Sequence, residues 1–249
     1  MQYLLIALQF LTIFPVTIKS QIEKKSFGRS LIYFPVVGAL VGFIAVSISL
    51  VFHFLPYMVT VVLILIILIT ITGGIHLDGF ADTCDGFYGA KSKEKILEIM
   101  RDSHIGTMGV VAVVCLLLLK FTLLLSVPRE NLWMVVIAMT MFSRWSQVAA
   151  CYFSRYSREE GKAKYFVSHA GWKELFIGGL FTVISLIWLM KLKGFSLFLF
   201  SVAIIFLFIT YAKRKIGGMT GDTIGATSEI AEVSVIFFFN VLHSGLCFY

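Results

Sequence analysis

Four of the five aspartates in this 249-residue chain fall between Gly73 and Gly109: Asp78, Asp82, Asp85 and Asp102. The first three stand at i, i+4 and i+7 in the stretch HLDGFADTCDG. At about 100° per residue, that spacing would project them within about 60° of one another on a helix. Carboxylates so close repel each other unless a cation holds them or some stay protonated. Mg²⁺ takes oxygen ligands, commonly one or two carboxylates plus substrate phosphate. Asp78, Asp82 and Asp85, with Asp102, therefore suggest a site for one or two such ions. The competing reading is a solvated polar loop, which would mix in Lys, Glu, Ser and Asn that are scarce beside these aspartates.

A second acidic stretch, GGMTGDTIGATSEIAE at 217–232, carries Asp222, Glu229 and Glu232. Asp222 and Glu229 are seven apart and share a helix face. Glu232 is expected about a turn inside an apolar run, where an ionised group costs about 2–3 kcal/mol and requires a partner. A cation from another span would be its structural partner. Arg144 lies in the middle of an apolar run with Gln147 one turn on, a place from which arginine meets an anion, either phosphate or a structural carboxylate. Lys120, near a run's end, reads as a snorkelling lysine. Arg155, Arg158, Lys162 and Lys164 form a basic loop that could also draw in an anionic substrate. His76 and His104 flank the aspartates and read as hydrogen-bond partners rather than bases, while His53, His169 and His243 carry no signal. The cysteines, at 84, 115, 151 and 247, show no CxxC spacing, and Cys84 is a poor partner for a hard cation. No nucleophile elbow, phosphate-cradling GxxxxGK[ST] loop or GxGxxG is present. Metal-assisted transfer of a phosphate-linked group onto an alcohol needs none of these, because charge neutralisation and positioning supply most of the catalysis.

The elements that must position these acids are membrane helices. The chain is 59% hydrophobic and only 14% charged, where a soluble domain is closer to a quarter charged. Its mean hydropathy is +0.93. Apolar runs of about 16–24 residues have the length to cross a bilayer as helix. The expectation is an all-α, polytopic integral membrane protein, residues 1–249 forming one membrane-embedded domain. Seven spans are drawn, at about 31–54, 57–75, 105–125, 131–153, 174–190, 195–212 and 230–249. Residues 1–18 lack the basic start and cleavage site of a secretory signal. They are read as a retained helix, either a short span, re-entrant or interfacial, with Gln9, Thr12 and Pro15 arguing against a plain span. Residues 91–102 read as a short amphipathic interfacial helix that carries Asp102 back toward the aspartate cluster.

Loops 19–29, 76–104, 154–173 and 213–229 hold sixteen of the Lys and Arg residues, and the alternate loops hold three. That bias puts the first set, and every Asp and Glu except Glu130, on the cytoplasmic side of the cell (inner) membrane. It also accounts for the net charge of +7 without nucleic acid.

With these residues laid out, the chain resembles the cobalamin synthase family, adenosylcobinamide-GDP ribazoletransferase. The resemblance rests on His76–Gly86 (HLDGFADTCDG), Met100–Gly109 (MRDSHIGTMG) and Gly217–Glu232 (GGMTGDTIGATSEIAE), and more weakly on Arg144 in SRW and Tyr156–Gly161 (YSREEG). Two departures stand out, His104 in place of an arginine and Lys162-Ala163 in place of Leu-Gly. The resemblance implies attack by the 5′ hydroxyl of α-ribazole, or of its 5′-phosphate, on the cobinamide-side phosphate of adenosylcobinamide-GDP, with Mg²⁺ required and GMP leaving. It would be the final nucleotide-loop assembly step of cobalamin biosynthesis. On that reading Asp78, Asp82, Asp85 and Asp102 hold Mg²⁺ across the diphosphate. One of the cluster, Asp85 first and Asp82 next, takes the hydroxyl proton. The candidate substrate contacts are His76, Arg101, Ser103, His104, Arg144, Arg158, Thr220, Asp222, Glu229 and Glu232. Partners would be the two small-molecule substrates and membrane lipid, with self-association or association with other cobalamin-assembly enzymes left open.

Two alternatives use the same acids. An ion-coupled transporter would place them near the midplane, at breaks in paired helices, and would move substrate without releasing GMP. A CDP-alcohol phosphotransferase would need Arg after the Ala of DGxxAR, but DGFAD is one residue shorter before the Ala and continues with Asp82.

Overall fold

The computed structural model describes residues 2–18, 22–52 and 54–243. Lys19, His53, Cys247 and the far end of the expected 230–249 span lie outside them. The described chain is helical, with an isolated parallel bridge between Tyr156 and Met219 and no strand among the described residues.

Helix α1 (Gln2–Leu11) is followed by α2 (Lys24–Ser30), a 3₁₀ turn and α3 (Phe34–Val51). Next come α4 (Tyr57–Thr72), α5 (Ile75–Gly89), the short α6 (Lys93–Ile99) and α7 (Thr107–Leu125). The chain continues with α8 (Leu132–Tyr152), the short α9 (Lys164–His169), α10 (Trp172–Met190), α11 (Leu192–Ile216) and α12 (Gly221–His243). Among the described residues, six helical segments are long and apolar enough to cross a membrane, and α4 with α5 makes a seventh if that bent pair counts as one. The protein is thus a multi-pass helical membrane protein.

One reading left open is narrowed, and two expectations need correction. α1, at ten residues, is about 15 Å long, half the hydrocarbon thickness, so it does not cross on its own. It instead buries Ile6, Ala7 and Leu11, and Ile13 N donates to Ile71 O at 2.8 Å. The aspartate stretch drawn as loop is the helix α5. The last span begins at Gly221 rather than 230, because Thr223, Ile224, Thr227 and Ser228 are buried by tertiary packing that hydropathy does not register.

α8 is the central helix, buried along most of its length and packed against α3, α10 and α12. The four Lys- and Arg-rich loops meet at one end of the bundle. Arg158 Nη2 donates to Met100 O at 3.1 Å and Lys213 Nζ to Phe153 O at 2.9 Å. Ser157 N donates to Met219 O at 2.9 Å, and α2 packs on α9. At the opposite end, Tyr57 Oη donates to Leu124 O at 3.1 Å and Val127 O at 2.5 Å. The charge alternation read from the loops is therefore mirrored in which loops touch.

Candidate active site

The site begins at a break. Gly73 and Gly74 both sit in the left-handed region, φ 62° and 69°, where a side chain costs about 1–2 kcal/mol per residue. Their N–H groups close α4 on Thr70 O and Ile69 O at 3.0 and 2.9 Å, and α5 departs at 89° to α4. α5 then packs against α12 and α7. At Gly79 a Cβ would lie 2.8 Å from the backbone of Asp222, so the glycine permits the contact that joins the first acidic stretch to the second.

Asp78 is exposed, and Asp82 and Asp85 are half-buried. Asp85 is committed: its two carboxylate oxygens accept from Gly106 N and Gly109 N, each at 2.7 Å, anchoring α5 to the first turn of α7, where free N–H groups and the helix dipole favour an anion. Asp82 lies within electrostatic reach of Asp78, Asp222, Arg158 and Asp85. Among the described residues, no donor reaches the carboxylates of Asp78 and Asp82. Asp222 accepts from Arg158 Nη2 at 2.7 Å and more weakly from Thr220 Oγ1 at 3.4 Å. Two backbone bonds hold the Arg158 loop against the start of α12, Ser157 N to Met219 O and Met219 N to Arg155 O at 2.8 Å. Burial is the main reason the neighbouring Tyr156 phenol is held above its ordinary pKa.

Asp102 does not join this group. It is exposed and takes the backbone N–H and the Nδ1 of His104 at 3.0 and 2.7 Å. Those two bonds, the backbone one first, hold its carboxyl below the ordinary range. Arg101, Ser103 and His104, on the same turn, are exposed as well. Arg101 does lie within electrostatic reach of Tyr156.

Glu229, Glu232 and Arg144, candidate substrate contacts, are buried in an ion network, the structural alternative already allowed for Glu232 and Arg144. Lys120 Nζ meets Glu229 Oε2 at 2.5 Å and Glu232 Oε2 at 2.6 Å. Arg144 Nη1 bonds Ser228 Oγ at 2.5 Å and lies 3.6 Å from Glu232 Oε1, which also accepts from Ser143 Oγ at 3.2 Å. The snorkelling reading of Lys120 is overturned, since only 4% of this residue is exposed. Of the two anions allowed for Arg144, the structural carboxylate is the one present. A partial signal was available: the drawn spans hold the cations Lys120 and Arg144, and Glu232 lies inside the last of them and had to be neutralised.

His76 is buried, with Nδ1 3.2 Å from Gln147 Nε2. His76 Nε2, Gln147 Oε1 and Arg144 Nε are buried without partners, a state that costs about 1–3 kcal/mol per group.

Two cavities meet here. One, of about 240 Å³, is lined by His76, Gln147, Tyr156, Arg158, Ala163 and Asp222 among others. The other, about 720 Å³, opens between α1 and the α4–α5 break and is lined largely by apolar groups such as Phe10, Ile13, Leu77, Ile105 and Val113. Phe10, Ile75, Asp78 and Lys162 border both. Tyr156, Gln147 and Phe10 were not singled out as site residues from the sequence. Only the motif position of Tyr156 and the one-turn spacing of Gln147 from Arg144 pointed to them.

Among the described residues, no three acid, imidazole or thiol side chains converge on a point that could hold a metal ion. The donors at the cavity junction are nonetheless all carboxylate oxygens, a set that fits a hard divalent cation sharing its remaining positions with phosphate.

A model of the cobalamin-5-phosphate synthase family matches residues 3–240. The chain belongs to this family. It is 36% identical to the adenosylcobinamide-GDP ribazoletransferase of Clostridium acetobutylicum, over 92% of each chain. Its identity to the protein of the same name from Acetivibrio thermocellus is 35%, over 96% of this chain and 98% of that one. With the Fusobacterium nucleatum protein, again of that name, it is 38%, over 97% and 98%. No solved structure matches. For this member of the cobalamin-5-phosphate synthase family, the fold thus gathers Asp78, Asp222, Arg158 and His76 around the cavities, with Asp82 within electrostatic reach of the first three. Glu229, Glu232 and Arg144 are set into the bundle, and Asp102, Ser103 and His104 stay on the surface.

Proposed function

We propose that the protein carries out the reaction its relatives' names state, transfer of α-ribazole or its 5′-phosphate onto adenosylcobinamide-GDP with release of GMP. Matching of nearly the whole chain to that family supports the reaction. The observation that carries the site is the donor-free carboxylate of Asp78 at the junction of two cavities, beside an arginine-held Asp222 and within electrostatic reach of the equally donor-free Asp82.

In this reading Asp78 and Asp222 would hold Mg²⁺, which when bound would offset charge on the diphosphate. Arg158 orients Asp222 and presents its remaining N–H groups to phosphate oxygens. The 5′ oxygen of the ribazole forms a bond to the cobinamide-side phosphorus, the phosphoanhydride bond to GMP breaks, and GMP carries the released charge. The hydroxyl proton passes to a carboxylate. Asp82 suits that role better than Asp85, whose oxygens are already engaged by backbone N–H groups. Apolar walls beside the junction exclude water, the competing nucleophile. The protein is read as residing in the cell (inner) membrane with the site on the cytoplasmic face, a placement supported by the clustering of the basic loops around it.

The test is GMP release from adenosylcobinamide-GDP by the purified protein. Release is expected only with both α-ribazole (or its phosphate) and Mg²⁺, to stop with EDTA and to return with added Mg²⁺. Substrate uptake into proteoliposomes without GMP release would overturn the reading.

A further inference from the structure

The two cavities differ in size, lining and polar content, and they touch only along a short border that includes Asp78 and Lys162. The smaller, at about 240 Å³, falls below the roughly 300–1,000 Å³ typical of pockets for drug-sized ligands. It has room for one nucleoside-sized group and none for a macrocycle. Its lining carries the His76–Gln147 pair, whose Nε2 and Oε1 are buried without partners. With Gln147 Nε2 donating to His76 Nδ1, the imidazole proton sits on Nε2, so the pair holds one unused donor and one unused acceptor. A ribosylated heterocycle, with a ring nitrogen that accepts and ribose hydroxyls that donate, matches that complement. The larger cleft, about 720 Å³, offers mainly apolar walls and suits the bulkier, amphipathic donor.

From this juxtaposition, and resting on the transfer reaction proposed above, we infer that the smaller cavity is the pocket for the acceptor nucleoside. His76 and Gln147 act as its positioning and specificity residues, and the cleft beside α1 receives the donor. The acceptor hydroxyl then meets the donor phosphate at the shared border by Asp78. α1, which does not cross the membrane, acquires a role as a wall of the donor cleft.

The two pockets make separable kinetic predictions. Gln147→Leu should raise the KM for α-ribazole at least tenfold and change the KM for adenosylcobinamide-GDP less than twofold. Ile13→Trp, a substitution at an exposed residue of the cleft, should do the reverse. Equal effects on both KM values, or the opposite pattern, would overturn the assignment. Should Gln147→Leu fail to fold, photolabelling of the wild-type protein with an azido derivative of α-ribazole decides. Labels at Tyr156, Arg158 or within 221–225 support the pocket, and labels at Gln9, Thr12, Ile13 or Val113 overturn it. Wild-type protein that makes no GMP with any acceptor would instead sink the transfer reaction itself.

Discussion

On α5, Asp78 borders open cavities and Asp82 lies close enough to feel its charge, neither with a donor on its oxygens. On α12, Glu229 and Glu232 sit inside the bundle and share Lys120 at 2.5 and 2.6 Å. Both stretches are acids spaced to share a helix face, and from the sequence both were candidates for metal or substrate. What separates them is the chemistry opposite. Where neighbouring helices supply a cation, the carboxylate holds helices together. Where they supply only like charge and space, it is left for a ligand. Asp222 lies between the two cases, held by Arg158 yet bordering the smaller cavity.

The contrast can be broken by substitution, the largest effect coming first. Asp82→Asn should lower the rate of GMP release about 10²- to 10⁴-fold, the range for losing a proton-transfer group, and leave thermal unfolding in detergent nearly unchanged. Near-normal turnover would move α5 into the structural class. Lys120→Met should act in the opposite sense, destabilising the fold by about 3–5 kcal/mol because two buried carboxylates lose their shared cation. Adding Glu229→Leu, which leaves Glu232 to Arg144, should recover more than half of that loss in the same unfolding measurement. No recovery would mean that Lys120 is held by something other than its ion pairs.

Smaller effects sharpen the border. Asp85→Ala should cost about 1–3 kcal/mol by leaving the Gly106 and Gly109 N–H groups without their acceptor. Its loss of activity should follow the loss of folded protein. If activity disappears while stability holds, Asp85 belongs with Asp82. Asp102→Asn, on an exposed pair with His104, should leave thermal unfolding unchanged and stay within about twofold of wild type in turnover. A large rate loss would mean that the loop after α6 folds over the site during reaction.

The order of the apolar helices, the meeting of the basic loops at one end and the placing of Asp78 and Asp82 on one helix were legible in the linear sequence. Hydropathy, charge alternation and i, i+4, i+7 spacing are local or additive properties, and a helix of known pitch converts them directly into geometry. The start of α12 was not legible, because Thr223, Thr227 and Ser228 are polar by composition and become helix interior only through the packing of α5 and α8. The Asp102 expectation failed for a similar reason, since two hydrogen bonds to His104 turn its carboxylate to its own loop.

By itself the sequence determined that this is a helical membrane protein of the cobalamin-5-phosphate synthase family with acids gathered at one end of its helices. Only the tertiary structure decided which of those acids are available. Pairing of Lys120 with Glu229 and Glu232, or of Asp85 with the first turn of α7, joins residues up to 112 positions apart. Periodicity within a helix says nothing about what faces it from another.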